Sequence, residues 1–338
     1  MIKTDFTGAR LTSPPMAETA FVTGGSGFIG GKLVQRLVSE GRRVRALARS
    51  GGAAERVAAL GAEPVRGELG DTDSLAAGAK GARVAFHLAA HLGEWGPWVD
   101  FERGNVVGTK NVLAACQAAG VECFVHCGTE AALMAGEPLV HVDETAPLRP
   151  DSRAPYPATK ARAEQAVREA SRDKFATVVV RPRFVWGKGD TTLLPEMVAT
   201  VEAGRFAWVG GGRNVTDTTH VDNVVEGLIL AAEKGRPGEA YFVTDGEPVV
   251  FREFVTKLLQ TQGVEPPDRS LPAWTAAPMA RVCEAAWKVL PLRGEPPMTS
   301  FRAWLLTQEC TIEISKAREE IGYSPIVTHE QGLAELSS

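Results

Sequence analysis

The sequence is short of cysteine, of excess charge and of long apolar runs, and each shortage excludes something. Five cysteines in 338 residues (Cys116, Cys123, Cys127, Cys283 and Cys310) are an odd number without CxxC spacing. They argue against a disulfide framework and against a zinc site, and fit a reducing cytoplasm. Lys+Arg 37 against Asp+Glu 41 leaves a net charge of -4, which gives no general attraction to nucleic acid or anionic lipid. No stretch reaches the ~18–20 uninterrupted apolar residues of a membrane-spanning helix. Residues 1–18 lack the apolar core of a signal peptide; with Pro14 and Pro15 ahead of Met16, they read as a loose tail, with the natural start expected near Met16. Short-period repeats and low-complexity blocks are missing too.

What remains is an ordinary globular balance, 44% apolar and 23% charged, in a chain long enough for one large α/β unit or two domains sharing a core. The first half alternates β-like runs with amphipathic helical stretches. Strands are expected at 19–23, 43–48, 63–66, 83–88, 123–127 and 176–181. Helices are expected at 28–40 (closed by Gly41), 53–60, 72–79 (capped by Asp71), 105–119 and 156–171. Such alternation implies right-handed crossovers and an α/β fold with a doubly wound parallel sheet covered on both faces. The second half is richer in Pro and Trp and reads as a smaller lobe against the sheet's carboxyl edge, where ligands of open α/β sheets bind. The expected division is 19–185 with 215–245 returning to it, and a substrate lobe of 186–214 and 246–338.

Thr23-Gly24-Gly25-Ser26-Gly27-Phe28-Ile29-Gly30 follows a strand and opens a helix. Its glycines at 24, 27 and 30 have separate tasks: a tight turn, approach of backbone N–H groups to a pyrophosphate, and close packing of helix on strand. The helix N-terminus adds positive potential at the phosphate, so the segment is expected to bind a dinucleotide. A carboxylate at the end of the second strand would bind a ribose diol. Ala48 and Arg49 stand there instead, and a guanidinium pairs with a 2′-phosphate, so NADP(H) is expected in preference to NAD(H).

In Tyr156-Pro157-Ala158-Thr159-Lys160, positions i and i+4 share a helix face, and Tyr156 and Lys160 can enter one site. A neighbouring ammonium favours the phenolate, so the Tyr156 pKa is expected to fall toward neutrality and make it an acid/base for an alcohol proton.

With these residues, His87-Leu88-Ala89-Ala90, Asn105–Val112, Arg181–Gly187, His220–Val224 and Gly238–Gly246, the chain resembles the extended short-chain dehydrogenases/reductases of the NAD-dependent epimerase/dehydratase superfamily. Within them it is most similar to the 3β-hydroxysteroid dehydrogenase/isomerase group and related sterol or lipid ketone reductases. The resemblance runs from about residue 18 to near the end. It implies a Rossmann-type sheet, Tyr156 as proton donor or acceptor, and Lys160 holding the nicotinamide ribose. It also implies Thr129, where the family usually has serine, as the hydroxyl that binds the substrate oxygen. Phe28 and Ile29 would lie on the cofactor with the glycine loop, Glu68 and Leu69 near the adenine, Ala89 and Ala90 along the cofactor channel, and Pro182 and Val185 near the nicotinamide. A homodimer through a helix pair is a further implication. His87, His126 and His220 lack ligand spacing and read as core or loop residues; no metal is expected, and Asp222 is given no chemistry.

Trp95 and Trp98, in the segment His91–Trp98 after the fourth strand, suit either an apolar wall for a ring system or long chain, or a lid packing on the protein itself. Leu271–Leu292 reads as one amphipathic helix that covers the substrate lobe or rests on a membrane surface. The expected activity is interconversion of a secondary alcohol and a ketone on a hydrophobic steroid, sterol or other lipid-like small molecule. A small aldehyde or ketone reductase, a nucleotide-sugar epimerase or dehydratase, and a non-catalytic NADP-sensing protein are the alternatives.

Overall fold

The computed structural model describes residues 18–290 and 292–338; the readings made for Met1–Met16 lie outside the described residues. Seven parallel strands form the central sheet. They are β1 (Thr19–Thr23), β2 (Arg43–Ala48), β3 (Glu63–Arg66), β4 (Val84–His87), β5 (Cys123–Cys127), β6 (Ala176–Pro182) and β7 (Ala240–Val243). Their order in space is β7-β6-β5-β4-β1-β2-β3. The chain turns back at β1, beside β4, and this reversal opens a crevice at the carboxyl ends.

Side chains alternate across the pleat. Ala20 and Val22 of β1 pack under α1 (Phe28–Ser39) and α2 (Gly51–Ala59), while Phe21 packs under α3 (Thr72–Ala79) and α4 (Gly108–Ala118). α1 buries Leu33, Val34 and Leu37, the i, i+1, i+4 stripe of a half-covered helix. It stops at Gly41 (φ +80°), whose N–H bonds Val38 O while Arg42 N–H bonds Leu37 O. α2 begins two residues before its expected start because the Ser50 hydroxyl accepts the Ala53 N–H at 3.2 Å.

The helix expected over 105–119 is built differently. A helical turn over Trp98–Phe101 leads into π-helical Glu102–Val107 before α4 begins. Within that wide turn the Asn105 side chain accepts the His91 N–H and donates to His91 O, 2.6 and 3.1 Å. The irregular turn thereby ties down the chain leaving β4.

α5 (Pro155–Glu169) lies over β5 and β6. It is fastened by a fully buried ion pair in which Arg181 Nε of β6 donates to both Glu164 oxygens at 3.1 and 3.0 Å. α6 (Val221–Lys234) returns to the sheet with Val224, Val225 and Leu228. A second sheet orders Val249–Val250, Val215–Thr216, Cys310–Ile312 and Leu139–Val142. Trp186 and Trp208 are buried there among Phe251, Phe254 and Leu258.

The single helix expected over Leu271–Leu292 is divided. Ser270–Leu271 pairs with Trp208–Val209, and the helix α7 spans only Ala276–Val289. Extended Pro272 separates the two, since proline has no N–H to continue a helical ladder. The inner face of α7 (Ala276, Ala280) packs on Val209, Met298 and Ala303 of the lobe; its outer face leaves Val282 and Val289 exposed.

Candidate active site

Between β1 and α1 the chain turns within Gly24–Gly27. Gly24 has φ +76°, and a Cβ on it would stand 2.6 Å from Ala89 N, so the loop leaving β4 lies directly against it. A Cβ on Gly30 would overlap the Gly24 carbonyl oxygen, because the first turn of α1 rests on the glycine turn itself. Gly27 is the N-cap of α1 and offers no side-chain cap, leaving the first N–H groups to an anion.

These elements border a cleft of about 630 Å³. Gly24, Gly27, Arg49, Glu68, Leu69, Ala89 and Ala90 line it. Phe28, Ile29, Gly30, Tyr156, Lys160, Pro182 and Val185 do not. Phe28 turns toward Gly189, Ile29 packs on the core, Pro182 is buried at the end of β6 and Val185 pairs with Thr219. Arg56, on α2 and also at the cleft, was missed in the sequence. Its guanidinium reaches back to the start of α2, where a Cβ on Gly52 would stand 3.8 Å from Arg56 Nη1.

Thr129 follows β5 and caps the short turn Glu130–Leu133, its Oγ1 accepting the Ala131 N–H at 3.2 Å. Tyr156 stands in the first turn of α5, its ring 5.8 Å from that of Phe301. Lys160, one turn on, is buried; its Nζ donates to Cys127 O at 2.9 Å and lies 3.5 Å from His126 Nε2. The site is therefore collected over the carboxyl end of β5.

The electrostatics correct one expectation. Burial pushes the Tyr156 phenol well above its usual pKa and the Glu130 carboxylate adds to this, with Thr129 hydrogen bonding in opposition. The expected lowering by Lys160 is not found, because the ammonium is turned to the Cys127 carbonyl. Burial pushes the lysine itself down.

The three histidines are buried. His87 bridges Thr23 Oγ1 and Thr109 Oγ1 at 2.6 and 2.9 Å, and burial brings its pKa down to about 3. His126 is lowered by burial and by the Lys160 charge. His220 caps α6 by accepting the Asp222 N–H.

Glu130 and Arg183 were also missed. Both are buried; Glu130 Oε1 pairs with Arg183 Nη1, and Thr129 Oγ1 donates to Glu130 Oε2 at 2.7 Å. A charged residue directly before apolar Ala131–Met134 was the one visible signal; its partner lies 53 residues on. The segment His91–Trp98 packs on the protein. Glu94 accepts from Thr299 Oγ1 and Arg302 Nε at 3.0 and 2.8 Å, Lys288 sits over Trp95 and Arg162 over Trp98.

Comparison with known proteins follows this geometry. The family model for the 3-beta hydroxysteroid dehydrogenase/isomerase family matches residues 21–273. The chain is 47% identical to 4-hydroxy-2-methyl-3-oxo-4-farnesyl-3,4-dihydroquinoline-1-oxide ketoreductase of Stigmatella aurantiaca, over 94% of this chain and 95% of that protein. It is 39% identical to a 2-alkyl-3-oxoalkanoate reductase of Stenotrophomonas maltophilia, over 94% and 98%. A dTDP-glucose 4,6-dehydratase from Streptomyces venezuelae, solved with NAD, shares the fold at a TM-score of 0.73 and 23% identity, covering 95% of each chain. The chain belongs to the 3-beta hydroxysteroid dehydrogenase/isomerase family and is an oxidoreductase of the short-chain dehydrogenase/reductase type.

Proposed function

We propose that the protein interconverts a secondary alcohol and a ketone on a hydrophobic, lipid-like substrate, with NADP(H) used in preference to NAD(H). The observation that carries this reading is the placement of Thr129, Tyr156 and Lys160 together over the end of β5, beside a glycine-turn cleft. The two relatives above are named for reductions of keto groups on molecules with farnesyl or alkyl chains; this supports the substrate class.

The cleft fits a dinucleotide: it has an uncapped helix N-terminus for the pyrophosphate and Arg49 and Arg56 at its rim for a 2′-phosphate. When bound, the nicotinamide supplies or accepts the hydride. Tyr156 gives the proton to the nascent alkoxide, or takes it from the alcohol. Lys160 holds the ribose beside it, and Thr129 orients the reacting oxygen. The lobe of 186–214 and 246–338 receives the apolar part of the substrate. The exposed outer face of α7, with Val282 and Val289, supports peripheral contact with a lipid surface, and a homodimer and a cytoplasmic setting complete the proposal.

Titration with NADPH and NADH by nicotinamide fluorescence, followed by turnover of 3-ketosteroids, long-chain ketones and simple aldehydes, tests it. Tighter NADPH binding with turnover of lipid ketones is expected, and Tyr156→Phe binds cofactor but loses about 10²–10⁴ of the rate. Turnover confined to simple aldehydes, or unchanged turnover in Tyr156→Phe, overturns the reading.

A further inference from the structure

The helix Ser300–Thr307 brings the second half of the chain up to Tyr156. Its Phe301 ring stands 5.8 Å from the Tyr156 ring, the spacing of aromatic rings in contact. Phe301 is 6% exposed, and Trp304, one turn on, meets it edge-on at 6.4 Å. Trp304 is backed in turn by the chain at Gly136, where a Cβ would stand 3.4 Å from the indole Nε1. The residues around Phe301 are fixed from two sides. Thr299, the N-cap of the helix, donates its hydroxyl to Glu94 Oε2 at 3.0 Å, and Arg302 Nε donates to the same oxygen at 2.8 Å. The Ser300 N–H and hydroxyl donate to Glu284 of α7 at 2.6 and 3.0 Å. The helix that bears Tyr156 is itself fastened by the Arg181–Glu164 pair. The two rings therefore meet from two anchored helices, and neither backs away without breaking these bonds.

We propose that Phe301 is a specificity-determining residue: it forms the wall that limits substituents on the carbon beside the reacting carbonyl. This rests on the reading of Tyr156 as the acid/base. A ketone oxygen served by that phenol lies within about 3 Å of its oxygen, so the first carbons of the substrate share the space beside the Tyr156 ring. A side chain packed against that ring from the substrate lobe meets the reacting end of the substrate and not its apolar tail. Rigidity gives the contact its selectivity. A wall free to move admits an extra methyl group at little cost, whereas a close-packed one resists it. Phe301 does not line the cofactor cleft, so its effect falls on the substrate and not on the dinucleotide.

The test compares kcat/KM for a straight-chain methyl ketone and for the same ketone with a methyl branch beside the carbonyl, in wild type, Phe301→Ala and Phe301→Trp. The branched-to-straight ratio is expected to rise about tenfold in Phe301→Ala, the discrimination that one methylene gives in an apolar pocket, and to fall in Phe301→Trp. Both ketones are assayed on one preparation, so a lower folded fraction does not move the ratio. NADPH affinity by fluorescence titration is expected to match wild type. If loss of the ring prevents folding, Phe301→Leu keeps most of the apolar contact and is expected to raise the ratio about threefold. Equal loss on both ketones would show that Phe301 only packs the lobe, and it overturns the proposal, as does an unmoved ratio in folded variants. The acid/base reading fails separately, through turnover in Tyr156→Phe.

Discussion

At position 30 one added methyl group would meet the Gly24 carbonyl oxygen, not a side chain able to move aside. Gly30→Ala is therefore expected to destabilise the fold by about 1–3 kcal/mol and to weaken NADPH binding, because the turn that would hold the pyrophosphate must shift. Melting and fluorescence titration check this; an unchanged melting temperature and affinity would show that α1 can slide. This residue was legible in the sequence because its constraint is local: strand, turn and helix follow within twelve residues of Thr19. Tyr156 and Lys160 were legible for the same reason, being one helical turn apart. Glu130 with Arg183 was not, since only tertiary folding brings them together. The direction of the Tyr156 pKa was misread because spacing tells that a lysine is near, but not that its ammonium bonds Cys127 O.

At the scale of elements, β1, β4 and α4 are joined through one imidazole. His87 holds Thr23 and Thr109, and its pKa is about 3 in the fold against 6.5 in the open chain. The unfolded chain thus takes up a proton as pH falls below about 6.5 while the folded protein does not. The stabilisation is complete above 6.5 and is lost progressively down to about 3. His87→Gln cannot take up that proton. Its stability deficit relative to wild type should narrow on acidification, and denaturant melts at pH 7.5, 6 and 4.5 would read it; a constant deficit contradicts the account. Six of the seven central strands were legible, with ends within a residue, while β7 (Ala240–Val243) was not named as a strand. The π-helical Glu102–Val107 was not, because its cause is the Asn105 bond to a loop fourteen residues earlier.

Across the whole molecule, the loop leaving β4 is latched to the last third of the chain. Glu94 accepts from Thr299 and Arg302, and Arg302 also donates to Glu196 at 2.9 Å. Arg302→Ala should raise proteolytic nicking at Gly93–Gly96 about fivefold, the equivalent of ~1 kcal/mol of local opening. Equal nicking rates would mean that the tryptophan contacts alone hold the segment. The parallel sheet was legible as a whole from alternation of strand and helix. The small second sheet was not, since its strands are two to four residues long and come from distant segments.

The Arg181–Glu164 pair has a consequence for descent. It fixes the helix that carries Tyr156 and Lys160, and deleting either partner strands a buried charge at about 3–5 kcal/mol, a large part of the ~5–15 kcal/mol that holds a domain folded. Single substitutions at either position are therefore closed routes, while exchange of both for apolar residues of similar size is open. Glu164→Leu and Arg181→Met should each melt far below wild type, and the double variant should recover most of the loss. Among descendants of this chain the two positions are expected to change together or not at all.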